Sequence, residues 1–128
     1  MADHFNEHIR SYDIHTYFFQ SWPNSQDEAT KLREKLIIDF AKEIEAGKMN
    51  VYNVHAKPIG PHPYGMWECD FKSQEMFAKL VPWFQLNHGS LSVLVHPHTG
   101  DAVKDHTQHA IWIGQQVPLI TDLLKVVP

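Results

Sequence analysis

At 128 residues the chain has the length of one domain, which excludes separate cofactor and substrate domains. Its 43% hydrophobic and 20% charged residues exclude disorder as the main state, and a net charge of -4 excludes the basic footprint of a nucleic-acid binder. No apolar run approaches the ~20 residues of a membrane span, the opening residues 1–8 are too polar for a signal peptide, and the lone Cys69 can form no internal disulfide. A reducing cytoplasm is the expected compartment.

Residues 1–11 read as a flexible N-terminus. Residues 12–19 are β-branched and aromatic and end at Trp22-Pro23-Asn24, which predicts a first strand. Ser25 followed by Glu28 reads as a capping box. Ala29, Leu32, Leu36, Ile37, Phe40 and Ile44 then recur at helical spacing, so the first helix is expected over 26–46, with Gly47 as its left-handed stop. Residues 49–57 read as a second strand, the proline-rich 58–63 as a loop, and 64–71 as a third strand. Ser73 is placed to cap a second helix bearing Met76, Phe77, Leu80, Val81 and Phe84 on one face. Pro82 is expected to break or kink that helix at Val81. Asn87-His88-Gly89 closes it, and residues 90–96 form a fourth strand.

The order βαββαβ is an α+β fold of ferredoxin-like type, within one domain spanning 1–128. Its sheet is antiparallel in the order 4-1-3-2, with both helices on one face. Residues 97–128 form a C-terminal extension, partly helical around 105–113.

Ten histidines are the unusual feature of the composition. Histidine moves protons near neutral pH and is the commonest metal ligand, so placement matters more than number. Successive side chains on a strand point to opposite faces. If Ile14, Thr16 and Phe18 face the helices, His15 and Tyr17 face away. Likewise Leu91, Val93 and Val95 face in, leaving Ser92, Leu94 and His96 on the open side. Trp67, Cys69 and Phe71 as core place Met66, Glu68 and Asp70 opposite, and an inward Tyr52 and Val54 send Asn53 and His55 outward.

One face of the sheet therefore gathers His15, His55, Glu68 and His96. Two imidazoles and a carboxylate from adjacent strands have the composition of the facial triad that leaves open positions on Fe(II), so His15, His96 and Glu68 are the expected metal set. A competing set joins His55 and His62 to His15. His98, beside the Thr99-Gly100-Asp101 turn, reads as solvent-facing, and His106 and His109 share a face if that segment is helical. Tyr17 and Leu94 on an open face would leave an apolar patch, so a homodimer is expected.

Four phrases in order carry a family resemblance: Ile14-His15-Thr16-Tyr17-Phe18; His55 followed by Gly60-Pro61-His62-Pro63; Leu91-Ser92-Val93-Leu94-Val95-His96-Pro97 with Thr99-Gly100-Asp101; and Asp105-His106 with Trp112-Ile113-Gly114 and Pro118-Leu119. Over residues 12–119 the chain resembles the DOPA 4,5-dioxygenase family of the fungal pigment-pathway type, with its small bacterial relatives. The resemblance implies a ferredoxin-like domain, often dimeric, and extradiol cleavage of a catechol by a non-haem metal. It matches His15, His55, His62, His96 and His106 to recurring histidines and Glu68 to a common carboxylate. It departs at His88, where arginine is expected, and at Tyr64-Gly65-Met66.

The expected cofactor is Fe(II), which Zn or another divalent metal can replace in a crystal. The expected partners are O2 and a small catechol such as DOPA or a related catecholic acid, with neither nucleic acid nor membrane. His62, on its rigid loop, is the expected base that takes a catechol proton, with His55 or His106 as alternates. The competing expectation is a metal- or small-ligand-binding module of the same fold without oxygen chemistry.

Overall fold

The computed structural model describes residues 5–19 and 22–124. Its described strands are β1 (Tyr12–Tyr17), β2 (Met49–Val51), β3 (Met66–Phe71), β4 (Ser92–Pro97) and β5 (Ile111–Ile113). They form one sheet in the order β2-β3-β1-β4-β5, every pairing antiparallel. The helices are α1 (Pro23–Asp39), α2 (Ala41–Glu45), α3 (Gln74–Asn87) and the single turn α4 (Ala102–Asp105), with a 3₁₀ turn at Thr121–Leu124. The first four strands take the expected α+β, ferredoxin-like arrangement. The fifth was not expected: Ile111–Ile113 pairs with β4 where a helical segment is predicted, because Val95, Leu94 and Val93 offer it a free strand edge.

The helix-covered face holds the main core. Ala29, Leu32 and Leu36 of α1 and Met76, Leu80 and Phe84 of α3 meet Ile14, Trp67, Cys69, Phe71, Val93 and Val95 of the sheet. Trp67 is fully buried and donates its indole N–H to the Ala29 carbonyl at 2.9 Å, so the largest core side chain leaves no polar group unpaired.

Several local expectations are corrected. The capping box does not form: Trp22 is the N-cap, without a side-chain cap bond, and Pro23 sits inside the first turn. The Ser25 hydroxyl instead accepts the Phe19 backbone N–H at 3.0 Å, and Glu28 accepts from the backbone N–H and hydroxyl of Ser90. Both side chains tie the helix start to the segments just after β1 and just before β4 rather than to its own orphan donors. Phe40 splits the first helix in two. Pro82 does not break α3, which runs on to Asn87. Both Pro82 and Ala78, whose carbonyl loses its partner, lie on the exposed side where water can replace the missing donor.

Strand β2 is shorter than expected and its parity is reversed at one position. Met49 and Val51 face the core, while Tyr52 lies outside and donates its phenol to Asp70 at 2.6 Å. The segment before β1 is not free. Phe5 packs edge-on against Tyr12, Phe71 and Phe77, and Arg10 and Ser11 exchange backbone bonds with His98.

The second face of the sheet is half covered. Tyr17, Met66, Leu94 and Val117 form a small buried cluster capped by Tyr64, Ala110, Trp112 and Leu119. The 2.8 Å bond from the Ile120 N–H to the Pro61 carbonyl joins the two covering segments. Tyr17 and Leu94 are thus fully buried within one chain, which removes the apolar patch on which the dimer expectation rested.

Gly65 lies where the covering loop enters β3. A Cβ there would stand 2.6 Å from Phe18 Cε2 and 2.9 Å from the His55 carbonyl oxygen. Gly65→Ala is expected to lower stability by ~1–3 kcal/mol through overpacking. Urea unfolding checks this, and an unchanged midpoint would show that the loop yields freely.

Candidate metal centre

The register of β1 builds the centre. Asp13 lies opposite His96 on β4 and Asp70 on β3, and His15 lies opposite Leu94 and Glu68. These side chains share the face away from α1 and α3. The Nε2 atoms of His15 and His96 stand 3.0 Å apart, both rings buried. His106, the C-cap of α4, brings its ring centroid within 4.0 Å of that of His96. One ring nitrogen from each of His15, His96 and His106 falls within a span of 4.8 Å. His62 completes the floor, its ring 4.2 Å from His15, with its Nδ1 2.5 Å from the Tyr17 phenol oxygen.

The other nitrogen of each ligand is already assigned in two of the three. His96 Nδ1 donates to the Pro97 carbonyl at 3.1 Å, and His106 Nδ1 donates to the Ala102 carbonyl at 2.7 Å. A carbonyl only accepts, so each neutral ring keeps its Nε2 lone pair free, the tautomer a metal requires. Burial, then the neighbouring histidines, keeps His15 well below the ordinary imidazole range. Burial and His106 hold His96 at about 4, and burial, His106 and His96 hold His62 at about 4. His15, His62 and His96 are therefore uncharged at neutral pH.

His15 Nδ1 is buried without a hydrogen-bond partner among the described residues. If His15 carries its proton there, that N–H is orphaned and two Nε2 lone pairs face each other; if it carries it on Nε2, an acceptor is orphaned. A cation between the nitrogens relieves the first arrangement. Their 3.0 Å separation is the cis edge of an octahedron with ~2.1 Å metal–nitrogen bonds. The donor set thus fits a divalent ion of borderline softness.

Asp13, which the parity argument passed over, is the carboxylate nearest this set. Its Oδ2 lies 3.6 Å from His96 Nε2 and 3.9 Å from His15 Nε2, and it accepts from His98 Nε2 at 2.9 Å. That bond raises the His98 pKa and turns His98 inward, although half of it remains exposed. The signal was available: Asp13 stands two residues before His15 and so shares its face.

Glu68 gathers with Asp13 and His15 in a separate group, not with His15, His96 and His106. Burial and then Asp13 and Asp70 raise its pKa to about 7. His55 is half-buried at the bridge to Met66, beyond the donor groups found among the described residues. His109 turns away to Asp105, at 2.9 Å. Asp105 is itself nearly fully buried. Burial works against its ionisation, but the Thr99 hydroxyl and N–H and His109 hold its pKa below the usual range. It thereby locks the 98–101 turn onto the helix that ends in His106.

Beside the histidines a groove of about 490 Å³ opens over β1 and β3, lined by Arg10, Ser11, Asp13, Tyr52, Glu68, Asp70, Lys72 and His98.

A ferredoxin-like sheet with buried histidines converging beside an open groove defines a class of small α+β proteins whose donor set could hold a metal. Comparison with known proteins makes the assignment specific. The model of the Dopa 4,5-dioxygenase family matches residues 12–123, and the chain belongs to that family. A 21.2 kDa protein of Botryotinia fuckeliana, itself uncharacterized, is 37% identical over 122 residues, 90% of this chain and 63% of that protein. The DOPA 4,5-dioxygenase of Amanita muscaria is 32% identical over 111 residues, 87% of this chain and 48% of that enzyme. The chain thus spans from just under half to just under two-thirds of the length of these relatives. A 1.46 Å crystal structure from Nostoc punctiforme, provisionally described as a dioxygenase, aligns with a TM-score of 0.78 at 35% identity, covering 94% of this chain and 96% of the other.

Cobalt(II) titration, followed by visible absorption, checks the donor set. His15→Ala, His96→Ala and His106→Ala are each expected to weaken binding by at least the ~10–100-fold that even outer-shell partners of a metal contribute. Glu68→Gln is expected to leave affinity within about twofold. Asp105→Ala is expected to lower stability by ~1–3 kcal/mol, the cost of orphaning buried donors of Thr99, read by thermal unfolding.

Proposed function

We propose that this protein is a non-haem, Fe(II)-dependent extradiol dioxygenase that opens the ring of a small catechol, DOPA or a related catecholic acid. The observation that carries the reading is the convergence of His15, His96 and His106, the last two with Nε2 free, beside a groove of about 490 Å³ whose wall toward them is Asp13 and Glu68. Family membership and the Amanita muscaria relative support the same chemistry.

His15, His96 and His106 would hold the ion. An Fe(II) ion bound there supplies Lewis acidity and redox capacity toward O2 and a chelating diol. The rest falls to the chain. Pro97 and Ala102 carbonyls fix the ligand rings. Trp112, Leu94 and Val117, packed around Tyr17, keep water from one side of the centre. His62 faces His15; with its Nδ1–H donated to the Tyr17 phenol oxygen, its Nε2 keeps the lone pair that would accept a catechol proton. Burial, then Glu68, pushes the Tyr17 phenol above its usual pKa, so it stays protonated and pins the His62 ring.

One observation favours the rival reading, a metal-binding module without oxygen chemistry. Asp13 lies close enough to two of these nitrogens to add a fourth donor and leave less room for a substrate. Anaerobic loading with Fe(II), followed by oxygen and a catechol panel, separates the two. The expected product is a yellow ring-opened semialdehyde, with oxygen consumed in equal amount. Bound iron with no oxygen uptake for any catechol would leave the binding module standing. His62→Ala is expected to keep its metal and lose ~10²–10⁴-fold in kcat, the usual worth of a positioned acid–base group.

A further inference from the structure

The groove has two chemically distinct ends. Toward the histidines its walls are Asp13 and Glu68; at the other end stand Arg10 and Lys72. Both cations are exposed, and neither makes a salt bridge among the described residues, although Asp13, Glu68 and Asp70 line the same groove. The other groove acids are otherwise engaged. Asp70 accepts from Tyr52 and Asn50, and Asp13 accepts from His98. Arg10 is held in place by its main chain, whose N–H donates to the His98 carbonyl at 3.0 Å, and its guanidinium reaches toward Gly100. Lys72 follows directly on β3 and shares the parity of Glu68 and Asp70, so it projects from the groove side of the sheet.

The spacing fits a ligand of definite length. Glu68 and Lys72 are four residues apart along an extended chain, ~13 Å at ~3.3 Å per residue. Side chains stand roughly perpendicular to a sheet and lean along it, so the Lys72 ammonium stands over the groove at a span that one ring with a side arm can bridge. We propose that Arg10 and Lys72 form an anion subsite that seats the carboxylate of the substrate's side arm, while the diol end lies against the histidines. They then set the specificity of the enzyme for catechols bearing an acid over neutral catechols of the same size. This inference rests on the dioxygenase reading for its diol end; the charge selectivity itself is a binding property.

The test compares 3,4-dihydroxyphenylacetate with its neutral amide, 3,4-dihydroxyphenylacetamide, on wild type, Arg10→Ala, Lys72→Ala, the double variant and Arg10→Lys. Binding is read without oxygen on the Fe(II)-loaded protein, and KM and kcat are read with it. In wild type the acid is expected to bind about tenfold more tightly. The double variant is expected to lose that preference by raising Kd and KM for the acid about tenfold, with kcat and the neutral catechol unchanged. Arg10→Lys is expected to recover most of it. An acid-to-neutral ratio that is the same in all five proteins overturns the proposal. So does an equal loss for both ligands with a lower melting temperature, which would assign the cations to balancing the groove's carboxylates. Wild type that binds the acid selectively but takes up no oxygen would sink the dioxygenase reading and leave the subsite intact.

Discussion

The register of β1 between β3 and β4 is the constraint from which the rest follows. Side chains alternate with a period of two, so one alignment places Ile14 and Phe18 in the core and His15 and Tyr17 on the other face. A slip of one residue would bury Asp13 and His15 under α1 and α3 and expose Ile14, at a cost no surface contact offsets. The hydrophobic core thus fixes the direction of the histidines before any ligand is involved. The site's precision derives from Trp67, Leu36, Leu80 and Val95, which touch none of its chemistry.

That precision carries an electrostatic consequence. Three buried imidazoles, those of His15, His62 and His96, cannot each bear a proton: burial removes water from the charged form, and each neighbour repels it. They accommodate this by staying neutral. Main-chain carbonyls accept the Nδ1 protons of His96 and His106, and the Tyr17 phenol is hydrogen-bonded to Nδ1 of His62. Only His15 lacks such a partner, on the strand at the middle of the sheet where the flanking backbone is used by its neighbours.

The sheet order, the two helices and the facing of His15, His96, Glu68 and Trp67 were legible from alternation and helical spacing. What escaped the sequence was what depends on distance along a strand or on contacts remote in the chain. Parity places Glu68 on the right face but does not say that the nearest carboxylate to both imidazoles is Asp13. His98 looked solvent-facing because its partner lies 85 positions away, and His106 drew less attention because its position is set by the buried Asp105–Thr99 lock. Tyr52 was assigned inward because β2 was read too long. Pro82 was given too much weight, since a proline on the wet side of a helix leaves its orphaned carbonyl to solvent. The fifth strand and the covered second face were missed together, because short apolar runs such as Ile111-Trp112-Ile113 do not distinguish strand from helix.

The cover over that second face is made of connecting segments, not of helices. The loop before β3 and the segment after β5 meet through the Ile120–Pro61 bond, and little else spans them beyond Tyr64, Trp112 and Leu119. Such a lid opens at a free energy well below that of global unfolding, because few apolar contacts must part and the sheet remains intact beneath. Anything the histidines hold would therefore exchange without unfolding the core beneath them.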